Sequence, residues 1–151
     1  MSKKKLIIRP NSNQPAGILL VAIVSVAVMW DRPTLAQDTQ STPVSIEASV
    51  SLEWNQTKDL YIAIGDAIVE QDDKSLKADK IIAHYDSSSK DRDLIDISAT
   101  GSVVFIDGEN VARGSKINYR IDDEAYDLFG PDAIVTSPRG IMTAAGSIAY
   151  N

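Results

Sequence analysis

From Val44 to the C-terminus, apolar and polar residues alternate in short runs rich in Ile, Val, Tyr and Ala. No stretch there carries the period of an amphipathic helix, so the pattern predicts strands. Polar turn segments cut the runs at Asn55–Asp59, Asp72–Ser75, Asp86–Asp93, Asp107–Asn110, Asp122–Glu124 and Ser137–Gly140. None of these connections is long enough to hide a crossover helix, so the expected sheet is mainly antiparallel.

The pattern also repeats. Three stretches begin at a glycine and close at a tyrosine: Gly65 to Tyr85, Gly101 to Tyr119 and Gly130 to Tyr150. A partial copy precedes them and closes at Trp54, so the terminal aromatics are spaced by 31, 34 and 31 residues. Each copy also carries a small residue followed by a short polar one: Ala48-Ser49, Ala78-Asp79, Gly114-Ser115 and Gly146-Ser147. Such periods belong to stacked architectures in which each unit packs on its neighbours. Strands at Leu60–Ile64, Leu94–Ala99 and Ala125–Phe129 each run into a glycine, the residue that marks a bulge or bend inside a strand. Bends recurring at one level predict a sheet folded into two facing layers, jelly-roll-like.

Strand alternation then nominates an interior. Its candidates are Val44, Ile46, Ile62 and Ile64 or their neighbours, Ile68, Leu76, Ala78, Val103, Phe105, Ile117, Tyr119, Ile121 and Ile134. The chain has only two Phe, and its Ala, Ile and Val supply little bulk. A thinly filled sandwich of this kind can stay partly open and admit alkyl chains. Periodicity alone is equally satisfied by a closed core.

Charge and the N-terminus narrow the function. Lys3, Lys4, Lys5 and Arg9 precede an apolar run from Ala16 to Trp30, broken only by Ser25. That run has the length of a signal-peptide core and is short for a membrane span. Thr34-Leu35-Ala36 offers a cleavage site, so residues 1–36 read as a signal peptide or an uncleaved anchor. Residues 37–43 then form a flexible lead-in and 44–151 one β domain. Either way the positive-inside rule places the body outside the cytoplasm. Residues 1–36 take five of the 15 Lys/Arg and one of the 21 Asp/Glu, which leaves 10 basic against 20 acidic residues, a net charge of −10. That balance argues against nucleic acid, and it requires an anionic ligand to be held through an apolar part.

Catalytic and metal chemistry find little support. His84 is the single histidine, there is no cysteine, and no nucleophile accompanies it. Asp72-Asp73 and Asp122-Asp123-Glu124 fall in turns and lack calcium-loop spacing. Gly108–Gly114 lacks the ending of a phosphate loop. Asp79 precedes a strand end, as turn geometry requires. Arg113 and Lys116 are candidates to meet a lipid phosphate near a groove mouth. The reading is therefore a non-enzyme with no cofactor and no metal.

The stretch IEASVSLEWNQTKDLYIAIGDAIVEQDDKSLKADKIIAHY (46–85), followed by ARGSKINY and LFGPDAIVTSPRGIMTAAGSIAY, resembles the OstA-like lipopolysaccharide-transport protein A (LptA) family over about residues 44–150. The resemblance implies a folded-over antiparallel β-jellyroll built from tandem repeats behind an N-terminal signal helix. It implies binding of lipopolysaccharide (lipid A) acyl chains in the periplasm, and head-to-tail stacking between an inner-membrane-anchored subunit and an outer-membrane one. By resemblance, Val44, Ile46, Phe105 and Ile121 match positions that line the family's groove. Alternation adds Ile62, Ile64, Ile68 and Leu76 as lipid-binding candidates. Burying an alkyl chain gives about 0.8 kcal/mol per CH₂, so roughly ten carbons gain on the order of 8 kcal/mol. Two other classes remain beside it: a membrane-anchored docking subunit of the same export machinery without a tight lipid site, and an enzyme on an envelope glycan. The second has no acid/base pair to support it.

Overall fold

A computed structural model describes residues 4–8, 43–89 and 92–151. The proposed signal helix and lead-in fall in residues outside this set, apart from Lys4–Ile8 and Pro43. The described chain is a single antiparallel sheet of eleven strands. They are β1 (Lys4–Ile8), β2 (Val44–Ala48), β3 (Ser51–Asn55), β4 (Leu60–Gln71), β5 (Lys74–Tyr85), β6 (Leu94–Asp107), β7 (Asn110–Arg120), β8 (Ala125–Phe129), β9 (Ala133–Ser137), β10 (Gly140–Ala144) and β11 (Ser147–Tyr150).

Strands β4 to β7 are too long for one layer and pass through two. The pairing register breaks between Ile64 and Ala67, between Lys77 and Lys80, and between Thr100 and Val103. On one side of the break lie β3, the segments 60–64, 80–85, 94–100 and 116–120, then β8 and β11. On the other lie β1, β2, the segments 67–71, 74–77, 103–107 and 110–113, then β9 and β10. The two layers face each other: Phe105 of the second lies 5.1 Å from Tyr119 and 5.4 Å from Tyr126 of the first, ring centre to ring centre. The folded-over sheet expected from the repeats is therefore present.

The bend is the repeat made visible. Gly65 has φ +84° and Asp66 φ 41°; Gly101 has φ +79° and Ser102 φ 48°. Glycine adopts such values without the clash that a Cβ brings. The small-polar pairs seen in the sequence supply the other half of each corner. A Cβ on Gly65 would lie 2.8 Å from Ser49 Oγ, and one on Gly101 would run into the Asp79 carboxylate. Asp79 thus has a packing role at the corner, as its place before a strand end suggested.

Inside, the two layers differ beside the bend. In the second layer the row beside it is Ala48, Ala67, Ala78, Val103, Gly114 and Ala133, whereas Ala112 lies one row further out, between Phe105 and Val135. One row further out, buried Ile46, Val69, Leu76, Phe105 and Val135 face buried Tyr61, Ile97, Tyr119 and Tyr126 of the first layer. The first layer's row beside the bend is bulkier, Ala63, Ile81, Ala99, Ile117 and Leu128, so large side chains of one layer pack on small ones of the other.

Candidate functional site

The site is the space between the layers at that open side. It is a cavity of about 30 Å³, lined by Val44, Val69, Leu76 and Phe105 of the second layer and by Leu94, Ile97, Tyr119 and Ile121 of the first. Gln71, Lys74 and Ser75 complete the lining on the second layer. Outside it, an open hollow of about 360 Å³ is bounded by Pro43, Ser45, Glu70, Asp72 and Asp73, and shares Gln71, Lys74 and Ser75 with the cavity. The three shared residues separate an apolar interior from an acidic exterior.

Ion pairs hold this rim. Lys74 Nζ lies 3.6 Å from Asp107 Oδ1, across the β5–β6 pair, and 3.4 Å from Glu124 Oε1 in the β7–β8 turn. Burial pulls the Lys74 pKa down, but Asp107, Tyr119 and the hydrogen bond to Glu124 outweigh it and hold the group above the ordinary lysine value. Burial also raises the phenol of Tyr119. The phenol of Tyr126 is pushed up to about 12, by burial first and then by Tyr150 and Asp107. The polar atoms of the interior are therefore neutral hydroxyls at physiological pH.

The predicted site residues separate into two groups. Ile46, Leu76 and Phe105 are buried between the layers, and Val44 and Ile121 pack against the core at the open side. Ile62, Ile64 and Ile68 do not face the interior. They lie half-buried on the outside of β4, opposite in register to Ile82, Lys80 and Lys77. The inward residues of β4 are Tyr61, Ala63, Ala67 and Val69. Both faces of β4 carry apolar side chains, so bulk suggested the wrong phase; beside the bend its inward positions are the small Ala63 and Ala67. Ile134 is likewise turned outward, between inward Ala133 and Val135.

Arg113 and Lys116 also need relocation. They flank Gly114-Ser115 on the bend line, away from the mouth, and the Lys116 ammonium sits 5.6 Å from the centre of the Phe129 ring. The terminal aromatics divide by strand position. Tyr85 and Tyr119 are buried, whereas Trp54 on β3 and Tyr150 on β11 are exposed, because those are edge strands. The Trp54 indole N–H donates to Tyr85 Oη at 2.9 Å, and Tyr150 stacks on Tyr126 at 5.1 Å. Tyr61, Tyr126 and Ile97 were missed as interior residues. Each stands four positions before a bend glycine, a regularity the sequence did display.

His84 Nδ1 lies 2.8 Å from Asp96 Oδ1 on the outer face of the first layer, remote from the cavity. Among the described residues no three His, Cys, Asp or Glu side chains are grouped to hold a metal.

Residues 45–151 match the family model described as LptA/(LptD N-terminal domain) LPS transport protein. The chain belongs to this family. Among solved structures it is similar to LptH of Pseudomonas aeruginosa, described as the LptA-homologous periplasmic component of the conserved lipopolysaccharide transport device. That match has a TM-score of 0.62 at 17% identity and covers 72% of this chain and 76% of the other. At that identity it establishes a shared fold. None of the curated proteins compared with the chain matches it.

Proposed function

We propose that this protein is exported by residues 1–36, works in the periplasm, and carries lipopolysaccharide by taking lipid A acyl chains between its two layers. It is a carrier without catalytic chemistry, and it links inner-membrane-anchored and outer-membrane subunits of the same machinery. The observation that carries the reading is the apolar interior between two layers joined at the bend, reached from the open side past Val44, Leu94 and Ile121. Family membership and the description of LptH support it. The cavity of about 30 Å³ is small beside an acyl chain, so uptake proceeds with parting of the layers.

Copies would stack head to tail. Among the described residues, β10 and β11 each have one edge that no strand pairs, and Ile141, Met142 and Tyr150 are exposed there. Edge backbone of this kind accepts a further strand. β2, β3, β10 and β11 all run antiparallel to β4, β8 or β9 and share one direction. A head-to-tail joint therefore pairs β10 with β2, and β11 with β3, in parallel. Here β1 covers β2, with Lys5 3.0 Å from Glu47. Export of the body with Lys4–Ile8 left behind would bare that edge.

The small cavity also favours the second reading, a docking subunit whose core stays shut. Photo-crosslinkers at Ile46 and Phe105, in protein purified from the envelope, separate the two. Lipid adducts at these sites are expected. Their absence at both sinks the carrier reading, and an intact N-terminus on the exported chain would favour the anchored subunit.

A further inference from the structure

The two layers are joined by backbone at the bend, and on the open side by an ion pair. Lys74 belongs to the second layer and Glu124 to the turn that closes the first, and their charged groups are 3.4 Å apart. Of the ion pairs among the described residues, this is the one that crosses between layers: Lys74–Asp107 and Lys5–Glu47 lie within the second, and His84–Asp96, Arg120–Asp123 and Arg120–Asp127 within the first. It stands directly over the apolar cavity, with Lys74 lining both the cavity and the outer hollow. Ile121, three residues before Glu124, packs half-buried against the core beside the same cavity. Displacing the turn would move both together.

We propose that Lys74 and Glu124 form a clasp over a lateral port, and that release of Glu124 lets a flexible alkyl chain pass between Ile121 and Leu76 into the interior. This rests on the acyl-binding reading above and adds where the chain enters and what holds the way shut. The energetics suit a gate. Glu124's side chain is 74% exposed, so the pair is weak and salt-screened, whereas Lys74 at 29% keeps its second partner Asp107 and stays in place. The surrounding Glu70, Asp72, Asp73 and Asp107 make the port a poor seat for a phosphate. The ligand class is therefore the alkyl chain, with its anionic head kept outside.

The chain has no cysteine, so two labels can be placed without interference. Spin labels at Asp72→Cys and Asp122→Cys, on exposed turns of opposite layers, read the width of the mouth in the full chain with no ligand. Glu124→Ala should lengthen and broaden that distance, as should high salt with Glu124 present; Asp107→Asn should not. Stopped-flow uptake of a pyrene-labelled fatty acid should then rise about twofold in Glu124→Ala, as expected for a pair this exposed. Salt should accelerate the parent chain and leave Glu124→Ala unchanged. An unaltered distance in Glu124→Ala, or an equal change in Asp107→Asn, overturns the clasp. A widened mouth with unchanged uptake overturns the port while leaving the acyl reading intact. A parent chain that takes up no probe at all defeats the acyl reading, and the port with it.

Discussion

At the bend, the layers are joined by covalent chain held in conformations that few residues tolerate, and small side chains of the second layer pack there against Ile81, Ile117 and Leu128 of the first. At the open side the layers meet through aromatic and aliphatic side chains under one exposed ion pair. The first arrangement is intolerant of change and cannot flex without breaking strands. The second is held by side chains alone and can separate without breaking strands. A folded sheet built this way can part on one side only, as the proposed uptake of alkyl chains requires. Substitutions should therefore fall into two classes, severe at the bend and graded at the mouth.

The largest effect is expected at Gly101. Its φ of +79° disfavours any L side chain, and an added Cβ meets the Asp79 carboxylate. Left-handed backbone costs roughly 1–2 kcal/mol and overpacking typically 1–3, more for a β-branched residue. Gly101→Val should lose about 4 kcal/mol in urea unfolding. Adding Asp79→Ala should return the packing part and leave the backbone part. A double variant no more stable than the single would show that the corner is not built as described.

Phe105→Ala comes next. Phe105 is 3% exposed and touches both Tyr119 and Tyr126. Removing a buried Phe costs about 3–5 kcal/mol, and the lower figure fits here because the cavity already adjoins the mouth. The same change should weaken acyl-probe binding. Equal losses from Phe105→Ala and Ile62→Ala, in stability and binding alike, would erase the distinction between the inner and outer faces of the sheet. Ile62→Ala should cost only about 1 kcal/mol, since Ile62 is only partly buried, on the outer face.

That face assignment shows where sequence reading succeeds and fails. Turns, strand order and the bend were legible, because glycine and short polar residues announce them by chemistry. So were Ile46, Leu76 and Phe105, whose strands alternate cleanly. Ile62, Ile64 and Ile68 were not, because β4 is apolar on both faces and its phase is set by the spacing of a layer distant in sequence. Lys74 was invisible for a related reason. Its partner Glu124 stands 50 residues away, and only the fold-over brings them together.

Alkaline titration should expose the mouth before the bend. Tyr126 keeps its proton to about pH 12, by burial first, against an ordinary value of 10.0. A folded pKa above the unfolded one favours the folded state less as pH rises. Stability should hold below pH 10, then fall between pH 10 and about 12 as the unfolded chain ionises first. Tyr126→Phe should flatten that fall in pH-dependent urea midpoints. An unchanged slope would place the alkaline loss elsewhere.

The smallest effect on stability belongs to the residue on which opening depends most. Glu124→Ala should cost about 0.5 kcal/mol or less, because an exposed partner gains little from its pair. Lys74→Met should cost more than Glu124→Ala, since it also strips Asp107 of its partner. The Lys74 pKa lies above the ordinary lysine value, so the charge of the clasp is complete below that range and is lost only as pH rises through the raised value. Clasp-dependent slowing of probe uptake should accordingly be flat from neutral pH through about pH 9 and vanish in stronger alkali. If it instead disappeared between pH 7 and 9, a group other than Lys74 would be holding the layers together.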